Sequence, residues 1–176
     1  MNRHEDEGLT ALEALGVAIR SELDSRDIYS EMADRAQDEL VARRFELLAA
    51  EEDRHRDLLV ARWNELAPNV PLKLPPSALP EGLATRETRS TRGLTEVLEL
   101  AIAEERRSRD FYLSAARGTA DLSGQAMFRF LADMEYAHWM TLAQERDLLA
   151  RYPNYGRPGP KPWRVEVLAT SGERGG

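Results

Sequence analysis

Six residues with metal-ligand chemistry occur in this chain as two copies of one pattern. Glu22 is followed by Glu52 and His55, and Glu105 is followed by Glu135 and His138. Adding 83 to each of the first three positions gives the second three. One glutamate on a helix, joined by Glu-x-x-His on the next, offers carboxylate oxygens and one imidazole nitrogen. Two copies make the donor set of a carboxylate-bridged pair of metal ions in a four-helix bundle. The Glu-x-x-His spacing serves this purpose on a helix, where residues three apart share a face and reach one ion. Glu22 and Glu105, from the other two helices, are placed to bridge both ions. Four carboxylates then balance two divalent cations, the condition for holding so many acids in a core. Oxygen-rich ligation with one imidazole per ion suits iron or manganese better than structural zinc.

The repeat extends beyond these six. Ala18-Ile19-x-x-Glu22-x-x-Ser25-Arg26-Asp27-x-Tyr29 returns, without a gap, as Ala101-Ile102-x-x-Glu105-x-x-Ser108-Arg109-Asp110-x-Tyr112. Phe45-x-x-Leu48-Ala49-x-x-Glu52-x-x-His55-x-x-x-Leu59 returns as Phe128-x-x-Leu131-Ala132-x-x-Glu135-x-x-His138-x-x-x-Leu142. A constant offset points to a duplicated helical hairpin. A lone Glu-x-x-His on a charged helix is usually a solvated face. Here two of the three histidines in the chain take the same repeat position. Both motifs also share a stripe with Phe45, Leu48 and Leu59 or their counterparts, and unpaired Glu and His on a buried face are costly. The doublets Glu51-Glu52 and Glu104-Glu105 are resolved by the repeat, because Glu51 matches Met134 and Glu104 matches Ser21.

Around the six, Tyr29 and Tyr112 lie two turns beyond the bridging glutamates, within hydrogen-bond reach of a carboxylate. Each reads equally as a core aromatic. Ser25 and Ser108 lie one turn beyond, small enough to leave room for dioxygen or peroxide. Arg26 and Arg109 fall near the same face, either pairing with ligand carboxylates or extending outward. His4 sits alone in a polar stretch and reads as solvated. Trp63, Trp139 and Trp163 read as packing.

The elements that must position these side chains follow from caps and periodicity. Thr10 to Glu13 is a capping box opening the first helix, whose apolar stripe runs through Leu12, Leu15 and Ile19 toward Glu22 and Tyr29. Fraying is expected near Arg35 to Gln37. Asp38 caps a second helix running to about Leu66. Residues 67–93 carry Pro68, Pro71, Pro75, Pro76 and Pro80 and read as a long crossover. The third helix runs from about Leu94 to Arg117, with Gly118 as its C-terminal cap. Asp121 or Ser123 caps the fourth, which runs to about Arg151. The sequence thus predicts an all-α, four-helix bundle of two repeated hairpins, about 10–66 and 94–151, joined by that crossover. A polar stretch, 1–9, precedes it and a tail, 152–176, follows. In the tail, Val165 to Leu168 reads as a short strand or a partner contact, and Thr170 to Gly176 as disordered.

Composition bounds the function. Thirty-one acids against 24 bases give a net charge of −7, which disfavours nucleic acid as a partner. Cysteine is absent, which excludes disulfides, iron–sulfur clusters and thiolate zinc sites. No apolar run approaches the roughly 18 residues of a membrane span. Met1 to Gly8 is polar and unlike a secretory signal. The expectation is a soluble cytoplasmic protein.

The doubled Ala-Ile-x-x-Glu…Tyr and Phe-x-x-Leu-Ala-x-x-Glu-x-x-His resemble the rubrerythrin-like branch of the ferritin-like superfamily, over about residues 10–150. The resemblance implies a di-iron centre held by Glu22, Glu52, His55, Glu105, Glu135 and His138. It also implies homodimers, some with swapped helices, and reduction of peroxide or dioxygen coupled to iron oxidation. Two departures matter. Full-type rubrerythrins carry a cysteine-held rubredoxin-like iron site. This chain has none and needs a separate electron donor, rubredoxin-like, ferredoxin-like or a reductase. They also carry an extra carboxylate where this chain has Ser108, and that acid is tied to their peroxidase cycle. The leading expectation is a di-iron oxidoreductase. Alternatives are a ferritin-like ferroxidase or iron-handling protein, a di-iron hydroxylase, and a non-enzymatic bundle stabilised by metal.

Overall fold

Among the described residues four long helices form from the segments that carry the 3.6-residue apolar period, a short fifth lies in the connection between them, and no strand occurs. The computed structural model describes residues 10–152 and Tyr155. The readings for His4, Trp163, Val165 to Leu168 and the last residues fall outside them. Helix α1 is Ala11–Arg35, α2 Glu39–Leu66, α3 Arg86–Ser90, α4 Leu94–Gly118 and α5 Leu122–Arg151.

The caps explain most boundaries. Thr10 and Glu13 complete the capping box at α1. Asp38 accepts from the backbone N–H groups of Leu40 and Val41 at α2. Asp121, rather than Ser123, caps α5 by accepting from Gly124 N at 2.8 Å. Gly118 is the last residue of α4 instead of its cap, and Thr119 takes the cap position in extended backbone. The short α3 interrupts the expected crossover. Thr85 and Thr88 cap each other reciprocally there, a box made by two threonines.

Helix α1 packs along α2 and α4 along α5. The two hairpins meet through α1 against α4 and α2 against α5. Two apolar clusters result. One joins Tyr29, Phe45 and Leu48 to Ala101, Ile102 and Leu142. The other joins Ala18, Ile19 and Leu59 to Tyr112, Phe128 and Leu131. Every residue of the first trio has its repeat counterpart in the other cluster. The halves therefore pack with an approximate two-fold relationship.

Charged pins hold the crossover to this bundle. Leu83 is fully buried in the first cluster. Arg89 donates from Nη1 to Leu83 O at 2.6 Å and from Nε to Glu31 Oε2 at 2.8 Å. Ser77 donates to Asp24 at 2.6 Å. A long segment without its own core is thereby tied to α1 at two levels.

Candidate metal centre

Glu22, Glu52, His55, Glu105, Glu135 and His138 are all buried. Each lies on the inward stripe of its helix, which is why the helical period brings polar groups inside. Glu52, His55, Glu135 and His138 present ligand atoms within 4.8 Å of one another and could hold a metal ion. His55 Nδ1 lies 3.1 Å from Glu52 Oε2, 3.4 Å from Glu22 Oε2 and 4.0 Å from Glu135 Oε1. His138 Nδ1 lies 2.9 Å from Glu52 Oε1 and 3.8 Å from Glu105 Oε2. The imidazole rings stack with centroids 5.4 Å apart. All six predicted residues thus meet in one layer.

Glu52, rather than Glu22 or Glu105, stands between the imidazoles in this structure. The physical reason is charge. Burial alone would raise the Glu52 pKa, but hydrogen bonds from His138 and His55 override it and hold the carboxyl well below its usual range. Burial pulls the imidazoles down, yet the surrounding carboxylates prevail. His55 is pushed up to about 9 by Glu22 and Glu52, and His138 to about 11 by Glu51 and Glu52. Desolvation raises Glu22, Glu105 and Glu135, with neighbouring carboxylates adding to the rise at Glu22 and Glu135.

The tyrosines cross the bundle. Tyr29 on α1 donates to Glu105 on α4, and Tyr112 on α4 donates to Glu22 on α1. Both rings are also core members, so the two roles coexist. Burial and the nearby Glu22 carboxylate raise the Tyr112 pKa well above its usual value, and Tyr112 therefore keeps its proton. Arg26 and Arg109 extend outward. Arg26 pairs with Asp27 and Asp53, while Arg109 lies near Asp110 and over the Tyr136 ring. Ser108 meets Ser21 across the α1–α4 seam at 3.1 Å. Both serines line a cavity of about 340 Å³ that also reaches Tyr112 and is bordered by Pro75 and Pro76.

Sequence reasoning missed Glu51. Its Oε2 lies 3.0 Å from Nε2 of His138, on the ring edge opposite the carboxylate layer. The available signal was the mismatch of Glu51 with Met134, which reads from sequence as a discarded register.

These donors fit a metal pair. Glu105 Oε2 is buried without a hydrogen-bond partner, and Glu52 Oε1 and His138 Nδ1 face each other at 2.9 Å beside it. A buried polar atom left unpaired is costly, and a cation held in this layer would satisfy it. Carboxylate oxygen with one imidazole per ion suits the borderline and hard divalent metals.

Solved structures share the fold. A hypothetical protein from Pyrococcus furiosus is 28% identical, with TM-score 0.72, over 81% of this chain and 91% of that one. An uncharacterized conserved protein from Magnetospirillum magnetotacticum MS-1 shares the fold at 22% identity and TM-score 0.57, over 88% of this chain and all of that one. No curated protein matches. The sequence profile of the rubrerythrin family matches residues 13–145, which spans both hairpins and all six clustered Glu and His residues: the chain belongs to the rubrerythrin family.

Proposed function

We propose that this protein is a non-haem di-iron oxidoreductase that reduces peroxide or dioxygen as ferrous iron is oxidised. The observation that carries the reading is the convergence of buried ligand atoms from Glu52, His55, Glu135 and His138 within 4.8 Å of one another. Glu22, Glu52, His55, Glu105, Glu135 and His138 would hold the ions. When bound, the ferrous pair supplies the two electrons that break the O–O bond of peroxide. Manganese fits the same donors.

The surrounding residues support that chemistry. Tyr29 and Tyr112 orient Glu105 and Glu22 by donating to them. The apolar clusters on both sides keep bulk water away from the layer, which strengthens electrostatics inside it. The Ser21–Ser108 cavity offers a small oxidant two hydroxyl groups beside Tyr112. With no cysteine in the chain, re-reduction falls to a separate electron-donor protein. A homodimer, as in the family, is part of the proposal. Among the described residues no helix is long and apolar enough to cross a membrane.

Anaerobic ferrous reconstitution tests the reading. The expected result is two tightly bound ions per chain, lost in Glu52→Ala/Glu135→Ala, followed by oxidation on adding peroxide or oxygen. Many ions per chain would indicate iron storage. No stoichiometric binding would remove the di-metal reading.

A further inference from the structure

The repeat pairs the six clustered residues one for one, but it does not pair what stands behind the two imidazoles. His138 directs Nδ1 at Glu52 and Glu105 and places Nε2 3.0 Å from Glu51. That carboxylate offers Nε2 of His138 a hydrogen-bond acceptor on the ring edge away from the ligand layer. The offset of 83 carries His138 onto His55 and Glu51 onto Met134. A thioether provides no comparable acceptor. Among the described residues, the contacts of His55 to carboxylates are all made by Nδ1, and the ring meets Phe130 edge-on at 6.5 Å. His55, Phe130 and Met134 line one open groove on the α2–α5 face, which Glu51, Arg54 and Asp57 also border.

We propose that Glu51 is a positioning residue that makes the two metal positions inequivalent, so that the His138 position fills first and the His55 position is the exchangeable one. This rests on the di-metal reading and deepens it. An acceptor behind a ligating imidazole fixes its tautomer and ring orientation and raises its donor strength; losing such a partner typically costs about 10–100-fold in metal affinity. Glu51 acts from outside the ligand layer. Its side chain is 37% exposed, whereas that of His138 is 2% exposed. It touches the nitrogen that faces away from the other carboxylates. His55, in contrast, meets carboxylates through Nδ1 alone and has the Phe130 ring beside it.

The test is calorimetric addition of Zn(II), a redox-silent probe, to the metal-free full chain with a competing chelator. Wild type should bind two ions in steps separated by about 10-fold or more. Glu51→Met, which installs the residue of the repeat-equivalent position, should weaken the tight step by about 10–100-fold and merge the two. Glu51→Gln, which retains a carbonyl acceptor, should fall between. Met134→Glu should tighten the weak step. Nuclear magnetic resonance of isotope-labelled histidine in the zinc-loaded protein adds a readout that a merely structural role would not move. His138 should carry a slowly exchanging Nε2 proton in wild type and a fast one in Glu51→Met. Two equal steps in wild type, or wild-type constants in Glu51→Met, would overturn this inference and leave the di-metal reading standing. Absence of binding in wild type would overturn both. If Glu51→Met does not fold, Met134→Glu decides: an unchanged weak step overturns the proposal.

Discussion

Tyr29 on α1 donates its phenolic hydrogen to Glu105 on α4, across the seam between the two hairpins. Tyr112 returns the same contact to Glu22. Each half of the duplicated sequence therefore orients the bridging glutamate predicted for the other half.

Tyr29→Phe and Tyr112→Phe should each destabilise the metal-free protein by about 1–3 kcal/mol, because a buried carboxyl oxygen loses its donor while the ring packing is retained. Urea denaturation measures this. A loss below about 0.5 kcal/mol in both variants would mean that the hydroxyls only fill space.

The imidazoles set the pH dependence of the metal-free protein. Their folded pKa values, about 9 for His55 and about 11 for His138, lie above the unfolded value. Their stabilisation is complete below about pH 6.5 and fades as pH rises through the folded values. Glu22, Glu105 and Glu135 are also raised, so they act in the same direction above the usual carboxylate range. Glu52 acts oppositely, and its contribution is lost only in strong acid. The Tm of metal-free protein should therefore fall between about pH 6 and pH 10. Metal displaces the same protons, so binding should release protons and tighten over that interval. A flat Tm, together with no proton release in buffers of differing ionisation heat, would contradict the charge assignment.

Arg89→Met should cost about 3–5 kcal/mol by leaving Glu31 buried without its closest cationic partner. Glu31→Leu/Arg89→Met should recover much of that loss, because the charge and its partner leave together. Equal destabilisation in single and double variants would show that Arg89 acts through Leu83 O rather than through Glu31.

Gly124→Ala tests the start of α5. An added Cβ would lie 2.7 Å from Thr119 Cγ2 and 3.0 Å from Asp121 Oδ2. Since Asp121 is the N-cap, the variant should lose about 1 kcal/mol despite the higher helix propensity of alanine. A stabilised variant in thermal melts would show that the turn yields without cost.

Much of this protein was legible before its fold. The offset of 83 and the inward stripes selected the six clustered residues, Thr10 and Asp38 marked two helix starts, and Asp121 was one of two candidates for a third. Helical periodicity suffices for this, because it decides which residues share a face on one helix. It does not decide how one helix is rotated and shifted against another. Glu51 reads from sequence as the wrong register of a doublet. Only the packing of α2 against α5 brings it to the outer nitrogen of His138. The carboxylate that stands between the imidazoles was likewise set in three dimensions, by burial and by the charge of two rings from different helices. The crossover carries no period, and its pins through Leu83, Arg89 and Ser77 depend on partners from 6 to 58 residues away. Sequence fixes which groups are available along each helix, whereas tertiary packing chooses their partners, because hydrogen bonds and ion pairs act over a few ångströms of space irrespective of chain separation.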